Sequence, residues 1–135
     1  MHTYFYFDKN GTILESSPKR LPNVPMITGL KMNKCILGEK IRPVGGKDKD
    51  IFSVILKITQ LIVKYNLPVQ EIQFNTLNDI TLQTASLEVR LGGREEIDAK
   101  LGELPSIFRE LSGVRGTINM ENYSENRKII TFKEK

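Results

Sequence analysis

The chain has 135 residues, with 20 Lys and Arg against 16 Asp and Glu, one Cys, one His and no Trp. That length fits one domain able to bury roughly two-thirds of its unfolded surface without disulfides or metal, and 39% apolar with 27% charged residues reads as soluble and globular. A lone Cys35 and a lone His2 exclude an internal disulfide and argue against multi-cysteine zinc sites and histidine-based triads, while no apolar run of about 18 residues and no basic-then-apolar leader is present.

Thr3 to Phe7 is aromatic and strand-forming. Asp8-Lys-Asn-Gly11 follows, and Asn-Gly between two apolar runs predicts a hairpin with Thr12 to Glu15, since both residues tolerate positive φ. Residues 16–50 are interrupted by Pro18, Pro22, Pro25, Gly29, Gly38, Pro43, Gly45 and Gly46, which predicts a long irregular connection. Its apolar pieces, Met26-Ile27 and Cys35-Ile-Leu37, need burial, so it should dock on the body of the domain rather than hang free.

Residues 50–66 carry Ile51, Ile55, Ile58, Ile62 and Tyr65 on one face of a 3.6-residue period. Phe52, Leu56, Leu61 and Val63 widen that stripe and predict a helix buried on most sides, capped by Asp48 or Asp50 and ended by Asn66 and Pro68. Three strands follow at Val69–Asn75, Ile80–Thr84 and Leu87–Leu91, with short turns that predict an antiparallel meander with one solvated face. Residues 94–112 repeat the helical spacing with Ile97, Leu101, Leu104, Phe108 and Leu111. Glu95, Glu96 and Asp98 suit its positive N-terminal end, Pro105 predicts a kink or break, and Gly113 a stop. Strands at Gly116–Asn122 and Lys128–Lys133 close the chain. The fold class is α+β: a mostly antiparallel mixed sheet with two helices packed against it, in the order ββ-loop-α-βββ-α-ββ, forming a single domain over residues 1–135.

Few residues invite chemistry. Gly45-Gly-Lys47 and Gly92-Gly-Arg94 lack the spacing of a phosphate-wrapping loop, and a strand-to-helix turn accounts for the second pair. Cys35 has no partner to activate its thiol and reads as a small apolar residue. Glu95, Glu96 and Asp98 read as dipole partners before they read as cation ligands. Phe74 lies in phase with Ile72 and so reads as core, not as a base-stacking aromatic. No catalytic residue, metal or cofactor is expected.

Two surface features remain. Residues 1–50 hold nine basic and five acidic groups, and residues 51–135 hold eleven of each, so the whole charge excess sits in the first third. Lys19, Arg20, Lys31, Lys34, Lys40 and Arg42 form a candidate anionic-surface patch for wall polymer, nucleic acid or lipid, and a solvated loop-rich face accounts for them equally. Lys128-Ile-Ile-Thr-Phe-Lys133 is apolar on both faces, with Ile130 and Phe132 pointing one way and Ile129 and Thr131 the other. Such a strand is either central or an edge open to a partner strand, with flanking lysines guarding it against self-association.

Several segments, taken in order, resemble a known family. Phe7-Asp-Lys-Asn-Gly-Thr-Ile-Leu-Glu15, Leu21-Pro22 through Pro25-Met-Ile-Thr-Gly-Leu30, Val89-Arg-Leu-Gly92 before an acidic helix, and Gly116-Thr-Ile-Asn-Met120 with Lys128 to Phe132 are similar to motifs of the extracytoplasmic β domain of the bacterial division proteins FtsQ/DivIB. The resemblance implies a non-enzymatic assembly protein of the divisome. It implies a parent protein with one membrane span and a POTRA domain upstream, both outside this chain, placing the domain on the outer face of the cell membrane at the septum. It further implies FtsB/DivIC-type and FtsL-type partners, bound by strand addition through Tyr123, Ser124, Ile129, Ile130, Thr131 and Phe132. Asn119 and Glu121 depart from the family pattern, which has an acidic and a basic residue there.

Overall fold

A computed structural model of the chain describes residues 3–8, 10–22, 24–32, 34–42 and 51–135. The possible helix caps Asp48 and Asp50, the Gly45-Gly-Lys47 run and His2 lie outside the described residues.

Two strands, β1 (Tyr4–Phe7) and β2 (Ile13–Ser17), pair antiparallel as a hairpin. Its turn is closed by Gly11 N–H to the Asp8 carbonyl and held by the Asp8 carboxylate, which accepts from the Asn10 and Thr12 amides. Gly11 takes a φ of +82°, whereas Asn10 does not enter the positive region, so one left-handed residue suffices where two were expected.

The main sheet has six strands in the order β3-β4-β5-β6-β7-β8. They are β3 (Met26–Thr28), β4 (Glu71–Thr76), β5 (Asp79–Gln83), β6 (Leu87–Gly92), β7 (Gly116–Asn119) and β8 (Thr131–Glu134). β4 to β6 form the predicted meander; β3 joins β4 in parallel, β7 joins β6 in parallel, and β8 closes the sheet antiparallel to β7. β3 lies inside the stretch expected to be irregular. Three residues between Pro25 and Gly29 are too few to show a period, and the strand exists because its partner β4 supplies the ladder. At Gly29 φ is +88° and an added Cβ would overlap the Phe74 carbonyl oxygen, so only glycine lets the chain leave β3 at this distance from β4.

Both helices cover one face of the sheet. α1 (Ile51–Lys64) and α2 (Ile97–Glu110) bury Ile51, Ile55, Ile58, Leu61 and Ile62, and Ile97, Leu101 and Leu104, in one cluster with Ile72, Phe74, Leu82, Val89, Leu91 and Ile118. Burying such aliphatic side chains contributes about 1.5–3 kcal/mol each. The opposite face is polar, carrying Gln73, Thr81, Gln83, Glu88, Arg90, Thr117 and Asn119. There Glu88 accepts from the Gln83 amide at 2.9 Å and from Arg90 Nε at 3.2 Å, and the Gln83 bond before all else pulls its carboxyl below the usual range.

Several expectations need correction. α1 is not buried on most sides: Val63 is 79% exposed, and Ser53, Lys57, Gln60 and Lys64 face solvent with it. The sheet has only one layer of helix above it, so the outer side of α1 has nothing to pack on. α2 runs unbroken through Pro105, because Leu101 and Leu104 are wholly buried ahead of the proline and Ile107 and Phe108 pack on the core after it. Its first turn starts at Ile97, so Glu95 and Glu96 precede the helix; Glu96 is its N-cap residue, in the left-handed region at φ 58°. The helix ends at Glu110, and Gly113, at φ +80°, lies in the turn that follows. At the end of α1, Asn66 adopts a φ of 52°, with Leu67 N–H bonded to the Ile62 carbonyl and Asn66 N–H to Val63, a glycine-type stop made by asparagine. Among the described residues no helix is long and apolar enough to cross a membrane.

Candidate functional site

The C-terminal edge is built from the β7–β8 pair. All four residues of β8 are exposed, and β8 is the last strand of the sheet. Lys135 N–H donates to the Arg115 carbonyl at 2.9 Å, which sets the phase of the ladder. Residues Thr117 with Lys133 and Asn119 with Thr131 then exchange bonds, because hydrogen-bonded and open pairs alternate in an antiparallel ladder. Phe132 and Glu134 therefore turn their backbone N–H and C=O away from β7, toward the open side of the sheet.

Phe132 pairs across from Ile118, on the helix-covered face, and is 38% exposed. Its ring lies over Gly116: a Cβ added there would come within 2.7 Å of the ring and would overlap the Lys133 carbonyl. Glycine at position 116 thus seats the aromatic ring at the edge. Thr131 and Lys133 point to the polar face, where an open depression of about 770 Å³ runs beside β8 between the strand ends and Arg115.

The strand itself is shorter than expected. Ile129 N–H closes a tight turn onto the Arg127 carbonyl at 2.8 Å, so pairing starts only at Thr131. Ile129 is 36% exposed and Ile130 packs against the core, both ahead of β8. β7 likewise stops at Asn119, because Met120 N–H crosses to the Arg90 carbonyl and Tyr123 N–H turns back to Met120.

Tyr123 is 6% exposed and belongs to the core. It therefore does not offer its ring to a partner. Its hydroxyl approaches Glu103 at 3.4 Å, and burial, followed by the Glu103 charge, pushes its ionisation above the ordinary tyrosine value. Ser124 is half-buried and forms a backbone turn with Arg127. Of the six expected contact residues, Thr131 and Phe132 stand on the edge, Ile129 is exposed beside it, and Tyr123, Ser124 and Ile130 hold the connection in place.

A residue that periodicity passed over holds this connection to α2. Lys100 is 2% exposed, and its Nζ donates to the Leu91 carbonyl at 2.6 Å. Burial lowers its pKa, opposed by the nearby carboxylates of Glu95, Glu96 and Glu121. Glu96 also accepts the Glu125 amide at 3.1 Å. The signal was present: Lys100 falls three residues after Ile97 and one before Leu101, inside the apolar stripe.

The other candidates resolve into local structure. Gly92 has a φ of +74° and forms the turn out of β6, with the Glu121 backbone and side chain close above it. Cys35 is half-buried. Among the described residues no group of three Asp, Glu, His or Cys is placed to hold a metal. Lys19, Arg20, Lys31, Lys34, Lys40 and Arg42 are all exposed, and none forms an ion pair with a described residue; Arg20 donates to the Gln70 carbonyl. No family model, no curated protein and no solved structure matches the chain.

Proposed function

We propose that this domain is a non-enzymatic assembly module that captures an extended partner segment at β8. The reading goes with the motif resemblance to the extracytoplasmic β domain of FtsQ/DivIB division proteins. On it, the partners are FtsB/DivIC-type and FtsL-type proteins, and the domain works outside the membrane at the septum. The observation that carries it is a free terminal strand, exposed at every residue, that directs the backbone groups of Phe132 and Glu134 outward. A partner strand laid there gains main-chain hydrogen bonds, each worth about 1 kcal/mol net, and meets the Phe132 side chain on one face and the Lys133 side chain on the other. Lys133, Glu134 and Lys135 keep such an edge from pairing with copies of itself.

Glu134→Pro tests the reading. It removes one outward donor while leaving the bonds of Thr131 and Lys133 to β7 intact. Binding to a DivIC-type ectodomain, followed by calorimetry, should fall by roughly tenfold or more with the thermal midpoint nearly unchanged. Full binding by the folded variant, or no binding by the wild type, defeats the proposal. Proline at Ile130 is a poorer test, since that residue packs on the core.

A further inference from the structure

The opposite end of the sheet carries a second opening. A groove of about 650 Å³ lies between the N-terminal hairpin and β3, floored by Leu56, Thr59 and Val63 of α1. Its size falls within the range of specific binding clefts, and its lining is mainly apolar.

Strand edges form its two walls. All four consecutive residues of β1, Tyr4 to Phe7, line it, and so do Pro25, Met26 and Ile27 on the other side. Successive side chains of a strand point to opposite faces, so a groove lying against a face would touch alternate residues only. Contact with every residue in turn means that the groove meets each strand along its hydrogen-bonding edge. The remaining bonds agree. On its far side β2 is already engaged by residues 38–41, through Ile13 N–H to Glu39, Gly38 N–H to Ile13 and Ile41 N–H to Gly11, which leaves β1 as the outer strand of the hairpin. Met26 N–H donates to the Gln70 carbonyl at 3.0 Å, so in the parallel ladder Met26 and Thr28 face β4, while Ile27 turns its N–H and C=O toward the groove.

Charge identifies what fits. The exposed cations flank groove-lining residues along the chain: Arg20 stands before Leu21, Lys31 between Leu30 and Met32, Lys34 before Cys35, and Lys40 and Arg42 on either side of Ile41. None is neutralised by an acidic group among the described residues.

We infer that the groove between β1 and β3 binds an extended acidic peptide of a partner protein, which pairs with Ile27 and with β1 and joins the hairpin to the main sheet. Its alternate apolar side chains enter the groove and its flanking carboxylates meet the basic rim. This site is separate from β8 and stands or falls independently of the function proposed there.

The probe is a blocked nine-residue peptide with a Val-Thr-Val-Thr-Val centre and two glutamates on each side. Binding should be visible by calorimetry, and amide hydrogen exchange at Ile27 should slow in the complex. A lysine-flanked peptide, and a version N-methylated at alternate residues, should each bind roughly tenfold more weakly or worse. Lys31→Glu with Lys34→Glu should weaken the acidic peptide while leaving the thermal midpoint in place. Three results overturn the inference: no binding of the acidic peptide at millimolar concentration, protection confined to Phe132 and Glu134, or sedimentation with phosphatidylglycerol vesicles while the peptide fails to bind.

Discussion

The six-stranded sheet ends in two different edges. β8 is antiparallel to its neighbour, exposed at all four residues and surrounded by charges of both signs. β3 is parallel to its neighbour, half-buried at all three residues and set against an apolar groove with cations only at its rim. Unpaired strand edges invite association, and proteins restrain them either by charge or by cover. Here the first device serves β8 and the second serves β3. An edge guarded by charge stays open to a partner that satisfies its backbone, whereas a covered edge admits only what fits the space beside it.

The edges also differ in what holds them in register, and that difference breaks first at Gly29. Gly29→Ala forces a side chain into the Phe74 carbonyl at a φ of +88°. The strand must leave β4, and stability should fall by about 3 kcal/mol or more. Chemical denaturation measures the loss, and hydrogen exchange should show it concentrated at Met26 to Thr28, with β8 still paired.

Behind β8 the corresponding anchor is Lys100. Lys100→Ala strips the Leu91 carbonyl of its charged donor in a buried place and leaves three nearby carboxylates without their cation. A loss of about 2–3 kcal/mol is expected, with Lys100→Met losing less because it keeps the apolar stem. Gly116→Ala should cost about 1–2 kcal/mol, since the Phe132 ring must lift from its seat, and it should weaken partner capture at β8 while sparing β3.

These anchors show what the sequence made legible. The helices and the central meander carry long apolar periods, Ile51 to Ile62 and Ile97 to Leu104 in the helices and Leu87 to Leu91 in the strand, and period alone locates them. The two edges lack that signal. β3 has three residues, and β8 is exposed throughout, so neither reveals an inward face; both exist because a neighbour offers a ladder. Tyr123 was misplaced for a related reason. An aromatic after a polar turn reads as surface until tertiary packing folds the connection onto α2, where Glu103 meets its hydroxyl. Lys100 was overlooked because its charge masks a position that its spacing assigns to the core.

The smallest expected effect is the response to alkali, and it separates the two edges by chemistry. Tyr123 ionises above its ordinary value of 10.0 in the fold. Between that value and its folded pKa the native state holds the proton more tightly, so its contribution is complete below pH 10.0 and declines as pH rises through the folded pKa. Lys100 has the opposite sign. Its folded pKa lies below 10.5, the unfolded chain binds the proton more tightly, and stability rises with pH between the folded value and 10.5. In the wild type the two slopes oppose each other, leaving a shallow net dependence. Tyr123→Phe should leave the Lys100 slope and make the domain gain stability on approaching pH 10.5, relative to wild type; Lys100→Met should leave the Tyr123 slope and make it lose stability above pH 10. Urea midpoints measured from pH 8 to pH 11 check both signs. Parallel pH profiles in the two variants would detach the β7–β8 connection from this pair of groups. At β3, where Gly29 and apolar contacts do the holding, exchange at Met26 and Thr28 should follow the same pH course in all three proteins.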